Sequence, residues 1–205
     1  MILSRNGTTK GYLLDGQPVP SVSAILRSAG LAPEYGHVEP EVLERARVRG
    51  VRVHEIADAL DRDEPIGPVT EELAPYRDAY VQFRYQTAFE VLATEAAVHH
   101  PHYLYAGTYD SRGRLNGHHV LIDRKATAEI HPVAVSTQLA AYRGAWNVLH
   151  PDDAVEAIFS LHLRRDGTYR LAEYDADDAW RVFQAALEIY RYKARHRKAK
   201  PWTRT

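Results

Sequence analysis

Residues 105–127 read YAGTYDSRGRLNGHHVLIDRKAT and contain the strongest local signal in the chain. Asn116-Gly117 is a preferred dipeptide for a two-residue hairpin turn, because both central residues of that turn need positive φ. We therefore expect an antiparallel strand on each side of this dipeptide. If the turn forms, Asp110 on the first strand lies directly opposite Asp123 on the second.

The expected hairpin brings two carboxylates and an amine to one face of the sheet. Directly opposed side chains share a face, with Cβ atoms about 4.5–5.5 Å apart, and Lys125 points the same way as Asp123. Two carboxylates this close repel each other unless a proton or a cation lies between them. A hard divalent cation suits the position, and Mg²⁺ does so because it keeps several waters. The alternative is a surface salt bridge in which Lys125 neutralises Asp110 and Asp123, which is the commoner case for an isolated short motif.

The rest of the chain places helices first and most strands later. Periodicity and capping residues predict helices over residues 21–30, 41–61, 70–89, 135–149 and 177–198, with Ser21 and Thr70 as N-caps. Alternating or apolar runs predict strands over residues 9–14, 91–100, 102–111, 118–127, 154–165 and 168–174. The order contains no repeated βαβ unit, so we expect an α/β (α+β) fold with a mixed central sheet flanked by helices. We expect one domain over 1–205, mainly helical in 1–90, with the sheet core and the C-terminal helix in 91–205.

The composition excludes several classes of protein. The chain has 205 residues, is 45% hydrophobic and carries a formal net charge of −1, so it can form a core and is not globally basic. It has no cysteine, which excludes disulfides, thiolate zinc sites and iron–sulfur clusters. Neither a membrane-spanning run nor the long apolar stretch of a signal peptide is evident. We therefore expect a soluble, cytoplasmic protein without a membrane partner.

Further polar residues accompany the hairpin, and each has a structural explanation beside a functional one. Glu95 lies on the preceding strand and can equally be an exposed edge-strand glutamate. Gln138 and Tyr142 share a helix face at i, i+4 and can contact a phosphate or pack the helix on the sheet. His54 follows Gly50, which is unfavourable inside a helix unless something approaches closely there. A lone histidine on such a helix is more often structural than a ligand.

In chain order, these residues resemble the motifs of the PD-(D/E)XK nuclease superfamily, specifically its RecB-like branch and the related phage exonucleases. That branch has a histidine on a helix after an Arg-Gly pair, then a glutamate, G-x-x-D, D-x-K and Q-x-x-x-Y. All five motifs occur here in that order: Arg49-Gly50 with His54, Glu95, Gly107 with Asp110, Asp123 with Lys125, and Gln138 with Tyr142. The resemblance runs from about residue 21 to residue 142. It departs from the family in that no aspartate–proline pair precedes Asp110, and the cluster-binding cysteines of some relatives are missing.

The resemblance implies a restriction-endonuclease-like fold with an N-terminal helical region, and hydrolysis of phosphodiesters with one or two Mg²⁺ or Mn²⁺ ions. The metal ligands that it implies are His54, Glu95, Asp110, Asp123 and the main-chain oxygen of Arg124. The catalytic residues that it implies are Glu95, Asp110, Asp123, Lys125, Gln138 and Tyr142. Lys125 would position the attacking water, while Gln138 and Tyr142 would support the site or the DNA backbone.

Basic residues in two places suit binding to nucleic acid. The candidate DNA contacts are Arg45, Arg49, Arg52, Lys193, Arg197 and Lys198. The three on the first long helix recur at i, i+4 and i+7, and the other three belong to residues 191–205, which carry seven Lys or Arg and no acid. Phosphate binding through counterion release needs such clusters rather than a global charge. A structural explanation has equal weight for the tail, because cations near a helix C-terminus complement its dipole.

Three hypotheses follow. The first is a Mg²⁺- or Mn²⁺-dependent DNA nuclease, an exonuclease by family analogy, acting in recombination, repair or phage DNA processing with a recombinase or helicase as a candidate partner. The second is a catalytically inactive nucleic-acid-binding module of the same fold, against which the crowded carboxylates argue. The third is a hydrolase of small phosphoesters, against which the basic residues argue. Nothing in the sequence specifies an oligomeric state.

Overall fold

A five-stranded mixed sheet is the centre of the computed structural model, which describes residues 1–5, 11–36 and 38–196. Its strands are β4 (Glu90–His100), β5 (Tyr105–Leu115), β6 (His118–Lys125), β7 (Ala157–Leu163) and β8 (Tyr169–Tyr174). The spatial order follows the chain order, and neighbours are antiparallel except for the parallel pair of β6 and β7. A parallel pair needs a long crossover, which the helix after β6 provides. The expected mixed central sheet flanked by helices is confirmed.

Helices cover both faces of this sheet. They are α1 (Val22–Ala29), α2 (Pro40–Asp61), α3 (Ala74–Thr87), α4 (Pro132–Leu149) and α5 (Ala176–Arg195), with a short 3₁₀ turn at Pro151–Asp153. One buried cluster joins the sheet to α1, α4 and α5, with Leu139 and Phe183 among its members. A second cluster joins the other face to α2 and α3, around Phe83 and Leu161. Among the helices of the described ranges, none has the length and apolar character needed to cross a membrane.

The hairpin has the predicted register. Leu115 pairs with His118, and the pairing continues to Ser111 and Ile122. Asn116 and Gly117 have φ of 52° and 83°, as the two-residue turn requires. The next step of this register places Asp110 opposite Asp123.

All five predicted helices are present, and the largest differences are at the start of α3 and at the start of α4, which begins at residue 132 instead of 135. Ser21 caps α1 through its side-chain oxygen, which accepts the amide of Ala24 at 3.1 Å, so that prediction is confirmed. Thr70 is not the N-cap of α3: its carbonyl accepts two amides of a preceding turn, and α3 begins at residue 74. Pro75 explains this start, because the fixed φ of proline suits the first turn of a helix. The last helix ends at Arg195, and the predicted continuation to Lys198 lies outside the described residues.

Several predicted strands differ from the structure in their bounds, and the strand expected over 154–165 lies at 157–163. The strand expected over 102–111 lies at 105–115, because residues 101–104 turn the chain from β4 into β5. In that turn the amide of Leu104 donates to the carbonyl of His100 at 2.9 Å. The strand expected over 9–14 is present at residues 12–14, and its residues 9 and 10 lie outside the described residues. It belongs to a small antiparallel sheet of β1 (Leu3–Arg5), β2 (Tyr12–Leu14) and β3 (Gln17–Val19).

Candidate metal centre

His54 of α2 lies against the middle of β4 and β5 and the end of β6. Its Nε2 atom is 3.0 Å from the main-chain oxygen of Arg124 on β6. Its Nδ1 atom is 3.3 Å from Glu95 Oε1 on β4 and 3.8 Å from Asp110 Oδ2 on β5. The fold therefore brings an imidazole from far upstream to the carboxylates that the sequence singled out.

Glu95 has an unusual backbone conformation for a strand residue. Its φ is +48°, in the left-handed region that non-glycine residues rarely adopt. In a regular strand, consecutive side chains point to opposite faces. Here Thr94 Oγ1 lies 3.3 Å and Glu95 Oε1 lies 3.6 Å from the same Arg124 guanidinium nitrogen. The positive φ explains why both side chains turn the same way, and strained residues of this kind concentrate at functional sites.

Asp110 is a partly buried carboxylate held by the backbone of the neighbouring strand. Its Oδ2 atom accepts the amide of Arg124 at 2.7 Å. Burial would raise the pKa of Asp110, but the charges of His54 and Lys125 and this backbone hydrogen bond hold it below its ordinary value. Asp110 is therefore an ionised carboxylate at neutral pH.

Buried Asp123 and partly exposed Lys125 form an ion pair next to Asp110. The Nζ atom of Lys125 lies 2.8 Å from Oδ1 and 2.7 Å from Oδ2 of Asp123, which is only 2% exposed. Burial and the charge of Asp110 raise the pKa of Asp123 to about 6, despite the opposing effect of Lys125. The two aspartates thus repel each other as expected. The ion pair of Lys125 with Asp123 that the alternative expects is present, but Asp123 is buried rather than at the surface.

Gln138 and Tyr142 of α4 adjoin this pair. The amide nitrogen of Gln138 is 3.4 Å from Asp123 Oδ1 and donates to the Tyr142 hydroxyl at 3.2 Å. The Tyr142 ring lies on Gly107 of β5, where an added Cβ would come within 2.3 Å of Tyr142 Cε1. Burial and the charges of Asp110 and Asp123 raise the pKa of Tyr142 well above its ordinary value. The glycine of the G-x-x-D motif therefore makes room for the tyrosine of the Q-x-x-x-Y motif.

His54, Glu95 and Asp110, which we call the metal triad, present ligand atoms that all lie within 4.8 Å of one another. Both nitrogens of His54 face oxygen acceptors, which only a doubly protonated ring can satisfy at once. Burial would lower the pKa of His54, but Asp110 and Glu95 outweigh that effect and raise it. The oxygens around the imidazole thus attract positive charge.

The donor set of the triad fits a divalent cation. It offers one imidazole nitrogen and two carboxylate oxygens, beside the main-chain oxygen of Arg124, and Mn²⁺ and Mg²⁺ favour oxygen-rich sites. Asp123, the remaining ligand implied by the resemblance, lies outside the triad and faces Lys125 and Gln138. The implied residues are therefore brought together as two adjoining groups.

A cleft of about 1050 Å³ opens beside the triad, between α2 and two connecting segments, which contribute residues 34, 35 and 38 and residues 127–129 and 131. Exposed apolar and aromatic side chains line it, among them Tyr35, Val42 and Val51. The ring of Tyr35 makes an edge contact with His131 across the cleft, at 6.2 Å between centroids. Gly50 lines the same cleft, and an added Cβ there would meet nothing within 4 Å, so no close approach explains this glycine.

The candidate DNA contacts of α2 differ in their surroundings. Arg49 lines the cleft, lies 3.7 Å from Glu72 and faces the ring of Tyr76. Arg52 is paired with Glu55 one turn along the same helix, whereas Arg45 is exposed. The three arginines are therefore not one free cationic stripe. Arg47, which the spacing places on another face of the helix, lines the cleft as well.

The candidate contacts at the C-terminus are only partly described. Lys193 donates a hydrogen bond to the carbonyl of Ser28 and so ties α5 to α1. This contact favours the structural explanation for Lys193. Arg197 and Lys198 lie outside the described residues.

Sequence reasoning missed a group of polar side chains behind the triad. Asp58 and Asp61 of α2 both contact the guanidinium of Arg124, of which the resemblance used only the main-chain oxygen. A signal was present, because these aspartates follow His54 at i+4 and i+7, on the helix face that also carries buried apolar residues. Charged residues on an apolar face indicate a buried partner, although the helix alone does not identify it.

Comparisons with known proteins return structural neighbours. No protein-family model matches the chain, and neither does any curated protein. An alkaline exonuclease (LHK-Exo) from Laribacter hongkongensis is similar at 15% identity, over 83% of this chain and 91% of that chain, with a TM-score of 0.36. A structure of LHK-Exo in complex with dAMP is similar at 16% identity, over 86% and 92% of the two chains, with a TM-score of 0.37. The positions of the side chains described above, rather than this likeness, form the basis for assigning a function.

Proposed function

We propose that the protein is a metal-dependent nuclease of the PD-(D/E)XK type that hydrolyses the phosphodiester bonds of DNA. One observation carries this proposal: the metal triad converges from α2, β4 and β5 beside the ion pair of Lys125 with buried Asp123. These are the residues that the motif order selects, and they come from segments far apart in the chain. A chance set of polar residues has no reason to converge in this way.

The triad and the main-chain oxygen of Arg124 would hold Mg²⁺ or Mn²⁺. When bound, such an ion neutralises charge on a phosphate and lowers the pKa of a coordinated water, and a second ion can assist the leaving oxygen. The chain contributes anionic oxygens for this purpose. Asp110 is ionised at neutral pH, and the φ of Glu95 turns its carboxylate toward His54.

Lys125 would act as a fixed cation rather than as a base. Burial would lower the pKa of Lys125, but the charges of Asp123 and Asp110 outweigh it and raise the pKa. The ammonium therefore stays charged at neutral pH, where it can orient the attacking water and stabilise negative charge developing on a phosphate. Asp123 holds Nζ in place, and Gln138 holds Asp123 and Tyr142 together.

The cleft beside the triad would receive the DNA strand. Arg47 and Arg49 on its wall can contact phosphates, since phosphate binding depends on clustered cations. Tyr35 and the neighbouring apolar side chains offer a surface on which unpaired bases can stack. A strand lying here reaches the triad, because His54 and Glu95 line the same cleft.

We propose that the nuclease is an exonuclease, which acts in DNA recombination, repair or phage DNA processing. A recombinase or a helicase is a candidate partner. The test is digestion of end-labelled linear DNA and of closed circular DNA with Mg²⁺, Mn²⁺ or EDTA. We expect linear DNA to shorten with either metal, circular DNA to survive, and EDTA to stop the reaction. Cleavage of the closed circular DNA would show an endonuclease instead of an exonuclease. Cleavage that continues in EDTA would exclude a metal-dependent mechanism.

Variants test the site itself. We expect Asp123→Ala and Lys125→Ala each to lower cleavage by at least about 100-fold, the size of effect that losing one charge-stabilising group has. Asp178→Asn, an exposed aspartate of α5 paired with Arg181, is the matched control and should leave cleavage unchanged. Circular dichroism should show that all three variants are folded. Wild-type activity in purified Asp123→Ala or Lys125→Ala would contradict the proposal.

A further inference from the structure

The side chain of Arg124 is almost completely buried, with 1% of its surface exposed. Because strand side chains alternate, it points to the face of the sheet opposite Asp123 and Lys125. A buried guanidinium is costly unless it is paired and hydrogen-bonded. Its Nη2 atom lies 2.6 Å from Asp58 Oδ1, and its Nη1 atom lies 3.3 Å from Asp61 Oδ2. Both partners belong to α2, so one side chain of the sheet holds two points on that helix.

The same contacts extend to α3. The carboxylate of Asp61 is fully buried and also accepts hydrogen bonds from the hydroxyl of Tyr80 and the guanidinium of Arg84. The Tyr80 ring faces the guanidinium of Arg124, at 5.8 Å to the ring centroid. A continuous polar connection therefore runs from β6 through α2 to α3.

His54 lies one helical turn before Asp58 on the same face of α2. Its imidazole faces the main-chain oxygen of Arg124, while Asp58 and Asp61 face the side chain of the same residue. Fixing Asp58 against the guanidinium therefore sets the distance between His54 and β6. A helix held at both places cannot slide or rotate without breaking a buried ion pair.

Arg124 also contacts the segment that carries Glu95. Its Nη2 atom lies 3.3 Å from Thr94 Oγ1 and 3.6 Å from Glu95 Oε1, and its amide donates to Asp110. The guanidinium thus reaches the elements that supply two members of the metal triad, and the backbone of the same residue holds the third.

We infer that the side chain of Arg124 is a positioning residue, which fixes α2 and the Glu95 segment so that the metal triad closes around a divalent cation. This inference rests on the proposed function. The cation would contact only the main-chain oxygen of Arg124, so replacing its side chain leaves every ligand atom in the chain. A lost metal affinity would then report the positions of the ligands, and the loss of such supporting contacts typically costs about 10- to 100-fold.

The attraction between charges alone predicts a tighter metal affinity in an Arg124 variant, which is the opposite of the result that the positioning role predicts. Arg124→Met removes a positive charge near the triad and leaves Asp58 and Asp61 without it. By Coulomb's law alone, both changes would tighten the binding of a cation. Arg124 also lowers the pKa of His54 and Asp110, so its removal would let protons compete more strongly for these ligands. The affinities are therefore compared at alkaline pH, where the ligands are deprotonated and a weaker affinity cannot come from the change in charge.

The experiment measures Mn²⁺ affinity by calorimetry on the full chain without DNA, together with amide hydrogen exchange of residues 50–61. We expect Arg124→Met to bind Mn²⁺ about 10- to 100-fold more weakly and to exchange faster in α2, and Arg124→Lys to recover part of both. Arg112→Met is the matched control, because Arg112 is a poorly exposed arginine of β5 that pairs with Asp153 and packs on Trp146. It should keep wild-type Mn²⁺ affinity.

The outcomes separate the two proposals. Wild-type Mn²⁺ affinity and unchanged exchange of α2 in Arg124→Met would overturn the positioning role alone. If Arg124→Met does not fold, Arg124→Lys decides in its place: an affinity equal to that of the wild type overturns the inference, and a weaker affinity supports it. If the wild type binds no Mn²⁺, the proposed function fails, and the positioning role fails with it.

Discussion

Gly107→Ala isolates the contact between the G-x-x-D and Q-x-x-x-Y motifs. The new Cβ would lie 2.3 Å from Tyr142 Cε1, about 1.2 Å inside the optimal separation of two carbon atoms. Gly107 is not among the glycines with positive φ, so alanine fits its backbone and the cost is steric alone. Tyr142 is 5% exposed and bonded to Gln138, so its ring cannot move freely.

The expected cost follows from these values. Overpacking of a tight site costs about 1–3 kcal/mol, and replacing glycine returns about 0.5–1 kcal/mol through the unfolded chain. An overlap of about 1.2 Å with a ring that cannot move freely places the cost in the upper part of that range, about 2–3 kcal/mol. We therefore expect a net loss of roughly 1–2.5 kcal/mol in the free energy of unfolding, measured by urea denaturation. Cleavage should fall as well, because displacing Tyr142 disturbs the hydrogen bonds of Gln138 to Tyr142 and Asp123.

A second substitution identifies the atom responsible. Tyr142→Phe keeps the Cε1 atom, so the double variant Gly107→Ala/Tyr142→Phe should remain as strained as Gly107→Ala. Tyr142→Leu removes the ring, so in a double-mutant cycle it should relieve most of the added cost. The reasoning is refuted if Gly107→Ala is as stable as the wild type, or if phenylalanine relieves the strain as well as leucine does.

Three further predictions concern metal, pH and helix capping. Mn²⁺ at about 100 times its Kd should raise the Tm of the wild type by roughly 5–10 °C, and an equal rise in Asp110→Asn by differential scanning fluorimetry would exclude Asp110 as a ligand. Burial, reinforced by the charges of neighbouring histidines, lowers the pKa of His100 to about 4 from the ordinary 6.5. The unfolded chain therefore binds this proton more readily than the folded chain. Protonation of His100 has no effect on the free energy of unfolding above pH 6.5, and that free energy falls as the pH is lowered toward 4. At pH 5 the loss in the free energy of unfolding is about 2 kcal/mol, measured by urea denaturation. His100→Asn should remove this pH-dependent loss, and it keeps an acceptor for the amides that donate to His100 Nδ1. An unchanged pH dependence in this variant would contradict the assignment. Ser21→Ala should cost about 1 kcal/mol through loss of the α1 cap, whereas Ser28→Ala on the same helix should cost far less, and equal effects of the two would argue against capping.

The hairpin could be predicted because its signals are local. The turn dipeptide fixes the register, and the register fixes which residues share a face. The start of α3 was predicted wrongly because two local signals compete there. Thr70 is a good cap, but Pro75 suits the first turn of a helix, and the helix begins beside it. The strand after residue 101 was displaced because the amides of residues 102–104 turn back to His100.

The site was predictable only in part. Motif order selected the members of the triad, but the spacing of residues does not show that His54 of α2 lies against β4, β5 and β6. The buried contacts of Arg124 with Asp58 and Asp61 depend on that packing, so no single segment reveals them. The positive φ of Glu95 could not be predicted either, because the strand pattern predicts ordinary alternation of side chains at that position.

The turn at Asn116-Gly117 is about 20 Å along the strand from Asp110, at a rise of about 3.4 Å per residue. Surface turns usually tolerate insertions, but we expect that the turn at Asn116-Gly117 does not. One extra residue would slide β6 by one place, and the face toward α4 would receive Ile122 and Arg124 instead of Asp123 and Lys125. A change of length at a distant loop would therefore disable the chemistry more thoroughly than most substitutions inside the cleft.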